Sequence, residues 1–370
     1  MQETFIFSTC EGAASSHPSR AWASAARKPV IHKPEAQAKV IPRLVKACRF
    51  LRLLVLVGLI LAGPASLSFA QLFSGWSGGA AKPLVIDFLD IGQGDSILIR
   101  SPEGKTALVD AGPARDAAAK LLKRKGITAL DIVIVSHHHS DHYGGMDQVV
   151  RNFKPKYFMA TGSSHTTKGY LTLLQTVKAE GITAVAPTAK PRKIELGSVL
   201  LIVFPQPPLD HQEENNNSIG IRLEYGKFSV LMTGDSETDE RQWWLAHNSS
   251  LIRDCTILKL AHHGSRNGTD QRWLDLVQPE AAVASLGAGN DYGHPHSETI
   301  SLLRKNEIPF LRTDQRGTIT IVSNGRTWNI VNSGLARRGG SRKADAVAAS
   351  SSDDEPGANP SSSESRSRRR

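Results

Sequence analysis

The stretch Ser136-His137-His138-His139-Ser140-Asp141-His142-Tyr143-Gly144-Gly145 constrains this chain more than any other. It follows the apolar run Ile132-Val133-Ile134-Val135, which reads as a buried strand. At the end of that strand the spacing is His-x-His-x-Asp-His. Imidazole nitrogens and carboxylate oxygens are the donors that zinc-type ions take. A tight turn can aim His137 and His139 at one ion, and Asp141 and His142 at a second. Gly144 and Gly145 then let the chain leave the crowded turn for a helix. A single histidine in a core is usually structural, but alternating histidines with Asp-His behind a strand read as a metal site.

Other strands deliver residues of the same kind. Phe228-Ser229-Val230-Leu231-Met232 runs into Thr233-Gly234-Asp235, where a carboxylate can bridge two metals. Thr256 to Ala261 leads to His262-His263-Gly264-Ser265, and Ala281 to Leu286 leads to Gly293-His294-Pro295-His296. Each His or Asp cluster thus falls behind a predicted strand, where loops carry function.

Charge and cysteine usage narrow the alternatives. The net charge of +10 suggests a nucleic-acid binder, but its distribution argues otherwise. Residues 1–70 carry nine Lys/Arg against three Asp/Glu, residues 332–370 eight against five, and residues 71–331 a nearly neutral 28 against 27. The basic strip Lys120, Lys123, Arg124 and Lys125 reads as a solvated helix face. Of the three cysteines only Cys255 lies in the globular part, so no internal disulfide or thiolate metal site is expected there. It reads as a small core residue.

Residues 1–43 lack hydrophobic periodicity and read as a disordered extension, or as the product of a translation start placed too far upstream. Residues 44–70 read as a signal peptide: Lys46, Arg49 and Arg52, the apolar run Leu53 to Ala62, then Ser68-Phe69-Ala70 as a small-x-small exit before Gln71. The expected location is therefore periplasmic or extracellular. An uncleaved anchor over 53–72 is the alternative, and the only membrane contact expected. Residues 71–81 form a Gly/Ser linker, 82–331 the globular domain and 332–370 a Ser/Arg/Asp-rich disordered tail. Within the domain a β-meander over 84–109 gives way to strands alternating with helices at Ala114–Lys125, Tyr170–Glu180, Glu237–His247, Asp270–Val277 and Ser297–Lys305. The pattern occurs twice, over about 82–190 and 194–331. Two sheets face to face with helices outside fit it.

Taken together, the motifs resemble those of metallo-β-lactamase fold hydrolases. More narrowly, Phe88-Leu89-Asp90-Ile91-Gly92-Gln93-Gly94-Asp95-Ser96, Asn217-Ser218, Thr233-Gly234-Asp235, His262-His263-Gly264-Ser265 and Tyr292-Gly293-His294-Pro295-His296 resemble the hydrolase domain of ComEC-type DNA-uptake proteins. The resemblance covers about residues 84–331. It implies an α/β (α+β) fold, a four-layer αββα sandwich. Two departures matter. The ComEC-type domain normally sits behind a channel of membrane helices, whereas this chain reads as a free-standing form. Many such domains also carry Asp where this chain has His139.

The resemblance implies two divalent ions, zinc or alternatively manganese. His137 and His139 would hold one, Asp141 and His142 the other, and Asp235 would bridge them. Of the His262/His263 pair, His262 is expected as a ligand because it comes straight off the strand, and His263 as a proton donor or phosphate contact. His294 is an alternative late ligand and His296 an outer partner. Asp95 and Asp110 would orient ligand histidines or merely cap the surface. Asn217 stands where many superfamily enzymes place a ligand histidine, and either shapes the site or makes a plain turn. Ser265 reads as a site neighbour rather than a nucleophile, since no orienting third group is evident. Trp243 and Trp244 read as helix packing before base stacking.

The expected activity is hydrolysis by a hydroxide held between two metals, acting on a phosphodiester and so nuclease-like. The alternatives are a lactonase, β-lactamase or choline-phosphate esterase acting on a small or envelope substrate, and a non-catalytic binding module. A small hydrolysable substrate or a nucleic acid is the expected partner.

Overall fold

The computed structural model describes residues 7–9, 82–210 and 212–332. The rest of the 1–43 extension, the 44–70 signal segment, the 71–81 linker and the tail from 333 onward lie outside the described residues.

The strands run in chain order as β1 Phe7–Thr9, β2 Leu84–Phe88, β3 Ile97–Arg100, β4 Thr106–Val109, β5 Ile132–Ile134, β6 Tyr157–Met159 and β7 Thr183–Val185. The second half supplies β8 Arg192–Leu196, β9 Val199–Val203, β10 Ile221–Tyr225, β11 Phe228–Met232, β12 Ile257–Lys259, β13 Ala281–Ala284 and β14 Phe310–Arg312, then β15 Ile319–Ser323 and β16 Trp328–Asn332. They build two mixed sheets, ordered β16-β15-β2-β3-β4-β5-β6-β7 and β1-β8-β9-β10-β11-β12-β13-β14.

Strand alternation sorts the side chains into layers. Ile97 and Ile99 of β3 join Leu201, Leu223 and Val230 of the other sheet in one apolar cluster, so the two sheets face each other. Leu98, between them in sequence, belongs to a second cluster with Val149, Phe153 and Leu173 of the helices outside the first sheet. Leu258 and Ala282 pack with Trp244, Trp273 and Leu303 of the helices outside the second. This is the four-layer αββα sandwich.

The two stretches of the repeated pattern, about 82–190 and 194–331, supply one sheet each, except that β1 joins the second sheet and the β15–β16 hairpin joins the first. The hairpin β15–β16 returns to the first sheet, where Ile319 pairs with Phe88 and Ser323 with Leu84. The hairpin pairs the backbone donors and acceptors along β2 and leaves β16 as the outer strand of the sheet. Thr320 Oγ1 donates to the buried carboxylate of Asp87 at 2.5 Å and pins the return. The helix expected behind Gly144 and Gly145 follows the metal-motif turn and spans Met146–Phe153. Strands β4 to β7 are parallel, as are β11 to β14. Parallel runs gather the loops behind their C-terminal ends along one edge.

Candidate metal centre

Five loops meet on that edge. Asp110 follows β4, the Ser136–His142 turn follows β5, Asp235 follows β11, His262 and His263 follow β12, and the segment Gly287–His296 follows β13. Ligand-type atoms of Asp141, His142, Asp235 and His263 lie within 4.8 Å of one another. His142 Nε2 sits 3.2 Å from Asp235 Oδ2, and His263 Nε2 is 3.2 Å from the same oxygen and 3.3 Å from Asp141 Oδ2. His137 Nε2 and His139 Nδ1 face each other at 3.1 Å, with the His137 ring 4.1 Å from that of His142.

Outer contacts aim these rings. Asp110 Oδ2 lies 2.9 Å from His142 Nδ1, and its other oxygen accepts from the Ser136 amide at 2.7 Å. His263 Nδ1 donates to the Ser285 carbonyl at 2.9 Å. A ring bound through Nδ1 turns Nε2 inward, as metal-ligating histidines do. Asp110, His262 and His263 all hold positive φ, at 61°, 49° and 54°. Such strain in non-glycine residues gathers at functional sites.

The electrostatics fit a cation. Burial lowers the basicity of His142 and His263, but Asp235 and its neighbours outweigh it. His142 is raised well above the ordinary imidazole value by Asp235 and Asp110, and His263 is pushed up to about 9 by Asp235 and Asp141. Burial alone would raise Asp141 and Asp235, yet the facing histidines hold both below the usual carboxylate range. His137 goes the other way: burial, then the neighbouring His142, holds it well below the ordinary imidazole value and so neutral. His142 Nε2 and Asp235 Oδ1 are buried without a hydrogen-bond partner. Orphaned buried donors and acceptors crowded at short range are what a metal-ligand set requires, so the residues fit divalent ions.

The remaining predicted residues fall in different places. His262 turns its Nδ1 to Glu237 Oε1 at 3.0 Å, and its Nε2 lies 3.9 Å from Asp235 Oδ2. It is half-buried, whereas His263 is closed in among the carboxylates. Asp95 forms a fully buried ion pair with Lys259, and its free oxygen is 3.6 Å from His263 Nδ1. His294 rings the cluster, 5.2 Å from His262 and 6.2 Å from His263 between centroids. His296 Nδ1 accepts from the Arg266 amide, outside the cluster. Ser265 Oγ accepts from the Asn267 amide at 3.5 Å. Asn217 braces its own loop: its side chain accepts from the Asp210 amide and donates to the Asp210 carbonyl, both at 2.8 Å. Trp244 is buried and donates to the Pro205 carbonyl, while Trp243 stacks on His247.

Three site residues escaped the sequence reading. Ser136 Oγ lies 2.8 Å from Asp110 Oδ2 and 3.1 Å from His137 Nδ1. Lys259, a charge inside the apolar strand β12, neutralises Asp95. Glu237 links His262 to Asn215 and Asn267. Lys259 alone left a signal, since a lysine in a buried strand needs a partner.

The chain is similar to several known proteins. The family model described as Metallo-beta-lactamase superfamily matches residues 89–288. The chain is 28% identical over 253 residues to ComE operon protein 3 of Bacillus subtilis, covering 63% of this chain and 32% of that protein. It is 28% identical over 240 residues to Competence protein ComA of Neisseria gonorrhoeae, covering 62% and 31%. The chain therefore spans about a third of the length of these relatives. Among solved structures, the metallo-beta-lactamase fold protein YhfI from Bacillus subtilis aligns with a TM-score of 0.43 at 14% identity, over 62% of this chain and 95% of that one. By its fold, its motifs and the family match over its central region, the chain belongs to the metallo-beta-lactamase superfamily, whose members are generally metal-dependent hydrolases.

Proposed function

We propose that this protein is an exported, two-metal phosphodiesterase. The observation that carries the reading is the convergence of Asp141, His142, Asp235 and His263 within 4.8 Å, with the His137–His139 pair alongside. His137 and His139 would hold one divalent ion, zinc or manganese. Asp141, His142 and His263 would hold the second, with Asp235 shared. His263 takes the ligand role expected of His262, because it is the one within 3.3 Å of both carboxylates. When bound, the ions supply a nucleophile from water at neutral pH and neutralise charge on the attacking and leaving oxygens.

The chain's own groups do the rest. Asp110 and the Ser285 carbonyl fix the two rings through Nδ1. Lys259 balances Asp95, so one carboxylate of the cluster is already neutralised. Burial and the surrounding histidines push His294 down to about 4, so it remains neutral at pH 7 and offers a hydrogen bond without adding charge. The resemblance to DNA-uptake proteins supports a nucleotide-type diester over a lactam or lactone. Export rests on the 44–70 segment, and the mature protein is expected to begin at Gln71.

The test is hydrolysis by purified full-chain protein loaded with zinc or manganese, offered bis-p-nitrophenyl phosphate, single-stranded DNA and nitrocefin. Turnover of the phosphodiesters without turnover of nitrocefin is expected. Cleavage of nitrocefin alone would replace the reading with a lactamase, and no turnover by metal-loaded protein would favour a binding module.

A further inference from the structure

Beside the metal cluster lies an aromatic surface that the site chemistry leaves unused. Tyr292 is 64% exposed, one of few large hydrophobic side chains so placed among the described residues. Its ring lies against His294 with centroids 5.7 Å apart and planes 24° from parallel. The His294 ring in turn lies 5.2 Å from that of His262 and 6.2 Å from that of His263, centroid to centroid. One face of the tyrosine is therefore backed by a histidine of the site, and the ring's exposure leaves the other face to solvent.

The segment that carries the pair is braced. Asn290 accepts from the His294 amide at 2.9 Å and donates to the His294 carbonyl at 2.7 Å and the Gly287 carbonyl at 3.1 Å. The rim beside Tyr292 is also open, since a Cβ at Gly289 or Gly293 would meet nothing within 4 Å. His294 Nδ1 is buried without a partner, in a residue only 8% exposed. An exposed tyrosine usually carries no meaning. One stacked on a nearly buried histidine, held by a fixed turn beside clustered metal-type ligands, has the form of a stacking platform.

We infer that Tyr292, backed by His294, is a shelf on which a nucleobase of the substrate stacks, so that the site selects nucleoside-bearing phosphodiesters over simple alkyl ones. This rests on the phosphodiesterase reading above. A base has a π-face whatever its identity, so the shelf selects for the presence of a base rather than for sequence. It would also supply affinity that the nearly neutral domain charge does not.

The experiment compares two esters with one leaving group, thymidine 5′-(p-nitrophenyl phosphate) and ethyl p-nitrophenyl phosphate, on the metal-loaded full chain. Wild type is expected to show a KM about tenfold lower for the thymidine ester, the size of one base–aromatic stack. That ratio should collapse toward one in Tyr292→Ala and persist in Tyr292→Phe. Equal KM values in wild type, or a ratio that survives in Tyr292→Ala, would overturn the shelf. If neither ester is hydrolysed, the phosphodiesterase reading fails. Calorimetric titration with thymidine 5′-phosphate and ethyl phosphate then decides the shelf alone: nucleotide binding about tenfold weaker in Tyr292→Ala supports it, and equal binding overturns it.

Discussion

His262 and His263 follow the same strand and share the left-handed backbone region, yet they meet different neighbours. His263 lies against Asp141 and Asp235, and His262 turns to Glu237. His263→Ala should therefore lower both the bound metal and the hydrolysis rate. His262→Ala should keep its metal and lose about tenfold to a hundredfold in rate, the range for an outer partner. Metal analysis of both variants checks this, and equal metal loss would reverse the assignment. Glu240 makes a second residue-scale test. It is 2% exposed, and neither carboxylate oxygen meets a partner at full hydrogen-bond geometry. Burial raises its pKa well above the ordinary value, the Ser218 backbone opposes this weakly, and Glu214 adds to it. A carboxyl raised on folding contributes stability below its unfolded pKa of about 4.3 and loses it as pH climbs through the folded value. Glu240→Gln should thus melt higher than wild type at pH 8, with the gap closing toward pH 4. A gap independent of pH would contradict this.

Among the elements, the turns behind the strands do the positioning, and glycines let them approach. A Cβ at Gly94 would lie 2.1 Å from the Asp141 carbonyl oxygen, at a φ of 132°. Gly94→Ala should therefore push the 90–96 loop off the metal turn and destabilise the fold by about 1–3 kcal/mol. That amounts to several degrees in a thermal melt, and an unchanged Tm would contradict it. Gly144 and Gly145 work by the same means. Gly144 holds helical dihedrals and Gly145 a negative φ of −88°, so neither supplies the conformational freedom that the sequence suggests. Each instead leaves room for a backbone carbonyl, of Pro113 or Ala111, within 2.5 Å of where a Cβ would sit. Such close approach is a tertiary fact and invisible in sequence. The helix Met146–Phe153 was legible, since Met146, Val149, Val150 and Phe153 keep the i, i+3, i+4, i+7 spacing of a buried face. The helix Ser297–Lys305 matches its predicted bounds. The return of β15 to β2 was not legible, because an apolar strand carries no mark of which sheet edge it will cover. Likewise His262-His263 reads as a pair in sequence, and only the backbone turn at β12 separates their neighbours.

At the scale of the molecule, the sandwich brings two parallel strand runs to one edge, so that residues from 95 to 294 meet there. Among the described residues no helix is long and apolar enough to cross a membrane. The elements that position the centre all lie between residues 84 and 332. A chain lacking residues 1–80, and with them the edge strand β1, and residues 333–370 is accordingly expected to fold and to retain metal and activity. Loss of activity in a truncation shown by circular dichroism to be folded would mean that an end takes part in substrate binding. Elemental analysis of active, dialysed protein shows whether it works through two ions held by His137, His139, Asp141, His142, Asp235 and His263. Two divalent ions per chain are expected, and active protein with less than one per chain would rule out a two-metal centre.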